Sequence, residues 1–200
     1  MSLRAFLEEG GIEAGIDEAG RGCYAGAVFA AAVVLPKDFY HPLLNDSKQV
    51  KAADRSIIKS FIEANALCYA VASTEVAVID KVNILQATYL AMHQALQLLR
   101  LTPDRLLVDG NRFVKWQQVP HHCIIKGDGI YASIAAASIL AKTYRDAYME
   151  RLDTEFPQYG WKQNKGYGTT QHRNAISLHG LSRHHRKSFK IVPIQMQLNF

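Results

Sequence analysis

Three apolar stretches of this 200-residue chain end in carboxylates. Asp17 and Glu18 stand together at the end of the first stretch, and Asp109 and Asp128 each precede a glycine at the end of a later one. Grouped acids repel one another and resist removal from water, so a site that gathers them requires a cation. Oxygen-preferring Mg²⁺ or Mn²⁺ is the natural choice. Such ions in a carboxylate cluster promote in-line attack of water on a phosphodiester.

The pattern of apolar residues predicts the elements that carry these acids. Strands are expected at 12–17, 24–35, 67–74, 105–110 and 122–128, and helices at 49–65, 83–100, 129–156 and 170–179. This order predicts a mixed sheet with helices on its faces. The ends of neighbouring strands converge in such sheets, which makes the acids candidates for one shared site. Considered separately, an aspartate before a glycine, as at Asp109, is also common in ordinary turns, and an aspartate before a helix, as at Asp128, is also common as a helix cap.

Composition and charge narrow the class of protein. With 48% hydrophobic and 20% charged residues, the chain is typical of a globular domain, and it contains no apolar run long enough for a membrane span. We therefore expect a cytoplasmic protein, and a monomer. Three well-separated cysteines favour free thiols over a disulfide framework or a zinc site.

The positive charge is concentrated at the carboxyl end. Glu155 is the last acidic residue, and after it come Lys162, Lys165, Arg173, Arg183, Arg186, Lys187 and Lys190. A basic, acid-free tail suggests a polyanionic partner, although a merely solvated basic surface is the alternative. We predict a catalytic core over 1–156, a basic helical lobe that contacts nucleic acid over 157–190, and a tail over 191–200.

Two glycine-rich segments could contact a nucleic acid. Gly20, Arg21 and Gly22 allow close backbone approach, so that backbone groups could bind a sugar hydroxyl and the arginine a phosphate. In the segment 164–169, Tyr167 could stack on a sugar or base while Lys165 binds phosphate. A tight hairpin turn and a packed loop tyrosine are the structural alternatives.

Taken together, these segments closely resemble the bacterial ribonuclease HII family, the type 2 ribonucleases H. The matching motifs, in family order, are GIDEAGRG at 15–22, NDSK at 45–48, VDGN at 108–111, KGD at 126–128, AAASILAKTYRD at 135–146, FPQYGW at 156–161, NKGYGT at 164–169, HG at 179–180 and HHRKSF at 184–189. The family usually has proline and a bulky residue after its GRG motif, where this chain has Cys23 and Tyr24. Loss of proline removes a backbone constraint beside that turn.

The resemblance implies a ribonuclease H-like α/β fold and a metal-dependent endonuclease. It implies hydrolysis on the 5′ side of ribonucleotides in RNA–DNA hybrids and at single ribonucleotides embedded in DNA, in repair and in primer removal. It makes Asp17, Glu18, Asp109 and Asp128 the catalytic and metal-binding acids. It assigns contacts with the substrate to Gly20, Arg21, Gly22 and Tyr167. Further candidates for phosphate contact or support of the site are Lys165, Ser47, Lys48, Lys142 and Arg145.

Two further hypotheses concern partners and alternatives. The end of the chain resembles a sliding-clamp-binding peptide, with anchors at Gln195, Leu198 and Phe200. Another nuclease of the same fold, such as a junction resolvase or a DNA endonuclease, would carry similar acids. A non-catalytic nucleic-acid-binding module is the other alternative.

Overall fold

A computed structural model of the chain describes residues 3–44 and 50–191. Ser47, Lys48 and the three tail anchors Gln195, Leu198 and Phe200 therefore lie outside the described residues. The strands are β1 (Glu13–Ala19), β2 (Val28–Val34), β3 (Cys68–Thr74), β4 (Arg105–Asp109) and β5 (His121–Ile124). The helices are α1 (Ala52–Asn65), α2 (Val76–Val82), α3 (Ile84–Gln97), α4 (Ala132–Glu155), α5 (Trp161–Asn164) and α6 (Thr170–His179).

The five strands form one mixed sheet in the order β3-β2-β1-β4-β5. β1, β2 and β3 pair antiparallel, whereas β4 pairs parallel with β1 and β5 pairs parallel with β4. The register pairs Ile16 with Val108, which brings Asp17 and Asp109 to the same level at the carboxyl ends of two adjacent parallel strands. The predicted mixed α/β sheet with flanking helices is confirmed.

Helices cover both faces of the sheet, and β1 is buried between them. Ala14 and Ile16 pack in the core that includes α3, whereas Gly15 lies on the opposite face against α4. A Cβ on Gly15 would stand 2.1 Å from the backbone carbon of Ser133, so α4 approaches the strand at a distance that only glycine permits. Alanines at 135–137 and 141 extend this close contact along the first half of the helix.

Several element boundaries differ from those predicted from sequence. β2 begins at Val28 rather than at 24, because Tyr24 pairs instead with Gly166 and Arg186 through backbone hydrogen bonds. β5 ends at Ile124, and a 3₁₀ turn, Gly127–Gly129, separates it from α4. Asp128 therefore lies on that turn rather than at a strand end.

The chain after α4 packs back onto that helix. Tyr159, Trp161 and Ala175 form a small apolar cluster with Met149 and Leu152 of α4. The division of function at residue 156 remains a prediction. Within the two described ranges, the chain has no helix that is long and apolar enough to cross a membrane.

Candidate active site

The carboxylates at the sheet edge are arranged around Asp17. This side chain is only 4% exposed, and its Oδ1 accepts a 2.7 Å hydrogen bond from the backbone N–H of Glu18. It also bonds the side chain of Ser138 on α4. Asp109 is half-buried on the adjacent strand, and its Oδ1 accepts a 2.7 Å hydrogen bond from the N–H of Gly127. That bond ties β4 to the turn that carries Asp128.

The surroundings of Asp17 oppose ionisation of its carboxyl group. Burial raises its pKa well above the ordinary value, and the negative charges of Glu18 and Asp109 raise it further. The hydrogen bonds from Ser138 and Glu18 offset only part of this effect. Because burial and like charge both oppose ionisation, a divalent ion at this position would relieve the two together.

Glu18 projects from the opposite face of β1, as strand alternation requires. It lines a groove with Asp109 and with residues of α3, and its Oε1 lies 3.0 Å from the guanidinium of Arg21. Asp128 is buried, with 5% exposure. Within 3–44 and 50–191, no three acidic, histidine or cysteine side chains converge closely enough to form a ready-made metal site. The fold gathers Asp17, Glu18 and Asp109 around the end of β1, with Asp128 on the neighbouring turn.

The turn Gly20–Gly22 follows β1 directly and is held from beneath by two buried arginines. Gly20 has a φ of +94°, and a Cβ there would stand 1.9 Å from Nε of Arg145. Arg186 binds the carbonyl oxygens of Gly20 and Arg21 at 2.7 and 2.8 Å. Gly22, in contrast, has open space where a Cβ would be.

Of the candidate basic residues, Arg145 is placed in a supporting role. It is 1% exposed, and its guanidinium donates to the carbonyls of Ala25, Ala27 and Lys165 at 2.9 to 3.1 Å. These bonds occupy the guanidinium and favour support of the loop over contact with phosphate. The next residue, Asp146, forms ion pairs with Lys142 and Arg55.

The remaining candidates lie nearer the surface. Burial lowers the pKa of Lys142, an effect that the ion pair with Asp146 counters. Lys165 forms a 2.6 Å ion pair with Glu150. Tyr167 is 44% exposed, and its hydroxyl is hydrogen-bonded to the thiol of Cys23.

A buried histidine pair supports the Tyr167 loop and was not identified from sequence. Nε1–H of Trp161 donates to Nε2 of His172 at 3.0 Å, so the His172 proton is on Nδ1, which donates to the carbonyl of Tyr167 at 2.9 Å. The N–H of Ser182 donates to Nδ1 of His185, which leaves Nε2–H of His185 to donate to His172 at 3.1 Å. Both rings are therefore neutral. The clustering of histidines at 172–185 was the available signal.

Comparison with known proteins identifies the relatives of this chain. Residues 14–192 match the sequence profile of the family described as Ribonuclease HII. The Ribonuclease HII of Christiangramia forsetii is 57% identical over 187 residues, which are 94% of each chain. The Ribonuclease HII of Parabacteroides distasonis is 54% identical over 99% of this chain and 100% of its own length.

Solved structures show the same fold at lower identity. The ribonuclease H2 of Pyrococcus horikoshii superposes with a TM-score of 0.74 at 24% identity, covering 90% of this chain and 94% of that one. The ribonuclease HII of Archaeoglobus fulgidus, solved as a complex with PCNA, gives a TM-score of 0.75 at 24% identity, covering 90% and 95%.

Proposed function

Because this chain belongs to the ribonuclease HII family and is thus a ribonuclease H endonuclease, we propose that it cleaves on the 5′ side of a ribonucleotide within duplex nucleic acid. Its substrates are RNA–DNA hybrids and DNA that contains single ribonucleotides. The observation that carries the proposal is the position of the Gly20–Gly22 turn, which directly follows the strand that bears Asp17 and Glu18. A backbone turn beside grouped acids is suited to holding one sugar at the reacting phosphate.

Divalent Mg²⁺ or Mn²⁺ fits the donors present. Asp17, Glu18, Asp109 and Asp128 supply only carboxylate oxygens, which these ions prefer. Burial, and then the charges of Glu18 and Asp109, raise the pKa of Asp17, and a cation would offset both effects. When bound, such an ion supplies Lewis-acid activation of water and neutralises charge at the phosphate. The guanidinium of Arg21 lies 3.0 Å from Oε1 of Glu18, so an ion bound at that oxygen would share it with this arginine or displace it.

The protein's own groups then position the substrate. The backbone of Gly20, Arg21 and Gly22 selects the ribose through its 2′-hydroxyl, the group that distinguishes RNA from DNA. Tyr167, fixed at its hydroxyl by Cys23 and at its carbonyl by His172, packs on the neighbouring sugar. Exposed cations of the segment 157–190, including Lys162, contact the duplex backbone, so affinity falls steeply with salt.

A duplex of DNA with one embedded ribonucleotide is the decisive substrate. With Mg²⁺ or Mn²⁺ we expect a single cut on the 5′ side of the ribonucleotide, leaving a 3′-hydroxyl and a 5′-phosphate. All-DNA and all-RNA duplexes serve as controls. Cleavage of the all-DNA duplex would instead indicate a DNA nuclease of the same fold, and binding without metal-dependent cleavage would indicate a non-catalytic module.

A sliding clamp is the proposed protein partner. The anchors Gln195, Leu198 and Phe200 have the spacing of a clamp-binding peptide, and the Archaeoglobus relative was solved together with PCNA. A peptide of residues 191–200 should bind a purified bacterial clamp, and the same peptide with Leu198 and Phe200 replaced by alanine should not. Absence of binding at high micromolar concentration would remove this partner.

A further inference from the structure

Arg186 was counted from sequence among the cations of the basic tail, yet it lies inside the protein. Its exposure is 0%, and Nε and Nη2 both donate to the carbonyl of Gly26, at 3.0 and 2.8 Å. Nη1 donates to the carbonyl of Arg21 at 2.8 Å, and Nη2 also to that of Gly20 at 2.7 Å. Among the described residues, no carboxylate forms an ion pair with this guanidinium. The hydrogen-bond partners of the buried guanidinium are backbone carbonyls, and the ring of Phe189 (5.1 Å from the guanidinium carbon to the ring centroid) and the charge of Asp80 add to its stabilisation.

The segment that carries Arg186 is fixed to the same loop by its own backbone. The N–H of Arg186 donates to the carbonyl of Tyr24 at 2.8 Å, and the N–H of Gly26 donates to the carbonyl of His184 at 2.9 Å. Between these bonds, His185 forms an antiparallel bridge with Ala25. The guanidinium is thereby held at a fixed position beneath the turn that follows β1.

This placement decides which way the turn presents its peptide groups. Every peptide bond in the described part of the chain is trans, and in a trans peptide the N–H points opposite to the C=O. Because the carbonyls of Gly20 and Arg21 point inward to Arg186, the N–H groups of Arg21 and Gly22 point away from the buried guanidinium. Turning either carbonyl outward would remove one of the hydrogen bonds that stabilise the buried charge of Arg186.

We propose that Arg186 is a positioning residue for ribose selection, orienting the two N–H groups of the Gly20–Gly22 turn toward the sugar and phosphate of the ribonucleotide. The inference rests on the proposed function of that turn, and it adds a residue that does not itself touch the substrate. Lysine cannot replace it, because a single ammonium lacks the planar fork that binds three carbonyls at once.

The test compares Arg186→Lys and Arg186→Gln with wild type in two measurements. One is the KM for a duplex with one ribonucleotide, and the other is the Ki of the matching all-DNA duplex as a competitor. Neither value depends on the folded fraction, so their ratio isolates sugar selection from a loss of stability. We expect the ratio of Ki to KM to fall roughly tenfold in both variants, the effect of losing well-directed hydrogen bonds. The control is Arg100→Gln, an exposed arginine near the start of β3, which should keep the wild-type ratio.

A ratio that stays within twofold of wild type in Arg186→Lys would overturn the inference while leaving the proposed function intact. Failure of the wild-type protein to cleave the one-ribonucleotide duplex would overturn both. If neither variant folds, the inference is tested with Asp17→Asn, which retains the turn. In its amide NMR spectrum, Arg21 and Gly22 should shift with the ribonucleotide-containing duplex and not with the all-DNA duplex. Equal shifts with both duplexes would refute the orientation.

Discussion

An added methyl group should destabilise the protein at Gly20 but not at Gly22, although both glycines belong to the same turn. In Gly20→Ala, the new Cβ would stand 1.9 Å from Nε of Arg145, on a residue with a φ of +94°. The left-handed backbone alone costs about 1–2 kcal/mol for alanine. Displacing Arg145 also weakens its bonds to the carbonyls of Ala25, Ala27 and Lys165, and a buried donor left unpaired costs about 1–3 kcal/mol.

These contributions predict a loss of about 2–5 kcal/mol in the free energy of unfolding for Gly20→Ala. For a chain of this length, the midpoint of thermal unfolding should fall by roughly 5–15 °C. Gly22→Ala should change stability by no more than about 0.5 kcal/mol, because no atom lies within 4 Å of the new Cβ and φ is not positive. Calorimetry on the two variants measures both values.

Activity should distinguish the two positions further. If the substrate backbone occupies the open space at Gly22, Gly22→Ala should lose at least about tenfold in kcat/KM while keeping its stability, because a small misplacement at a reacting centre is costly. The assay is cleavage of the one-ribonucleotide duplex at a temperature where both variants are folded. Full activity in Gly22→Ala would refute close approach at this glycine. Wild-type stability in Gly20→Ala would refute the packing of Arg145 against the turn.

Three other predictions concern charge. Asp17→Asn should abolish cleavage while duplex binding survives. In metal-free buffer this variant should unfold at a higher urea concentration than wild type, because a buried carboxylate charge is removed. A lower urea midpoint would contradict the stability prediction. Mn²⁺ should raise the thermal midpoint of wild type and EDTA should stop cleavage, whereas a variant with Asp17 and Asp109 both changed to Asn should show no Mn²⁺-dependent shift. Burial, and then the neighbouring His172, lowers the pKa of His185 to about 4. As pH falls, the unfolded chain therefore takes up a proton at His185 before the folded protein does. The contribution of His185 to the free energy of unfolding is full above about pH 6.5 and falls by about 3 kcal/mol toward pH 4. If wild type and His185→Gln lost stability equally over this range in a denaturation series, the neutral pair would be refuted.

The fold class and the placement of Asp17 and Asp109 at adjacent strand ends could be predicted from local pattern. Apolar runs define buried strands, and carboxylates at the ends of neighbouring strands meet at one sheet edge. The boundary errors came from long-range pairing. β2 begins after Gly26, whose φ of +84° interrupts the extended chain, and Tyr24 forms its backbone hydrogen bonds with Gly166 and Arg186, more than 140 residues away along the chain.

The roles of the basic residues could not be predicted in the same way. A sequence shows how many positive charges a segment carries, but not which of them face water. Arg145 and Arg186 are both buried and bind backbone carbonyls, whereas Arg183 and Lys187, which are close to Arg186 in the chain, are exposed. Burial of an arginine depends on carbonyls supplied by distant segments, and those are brought together only by folding.

The sequence by itself determined the family, the α/β class, and the carboxylates and glycines that stand at the candidate site, because these depend on residue type and local order. Only the tertiary structure decided which distant groups these residues contact. It bonded Asp17 to Ser138 of α4, tied Asp109 to the turn that carries Asp128, and placed Arg145 and Arg186 beneath the Gly20–Gly22 turn. Each of these outcomes depends on which distant groups compensate a charge removed from water, and chain order does not specify that.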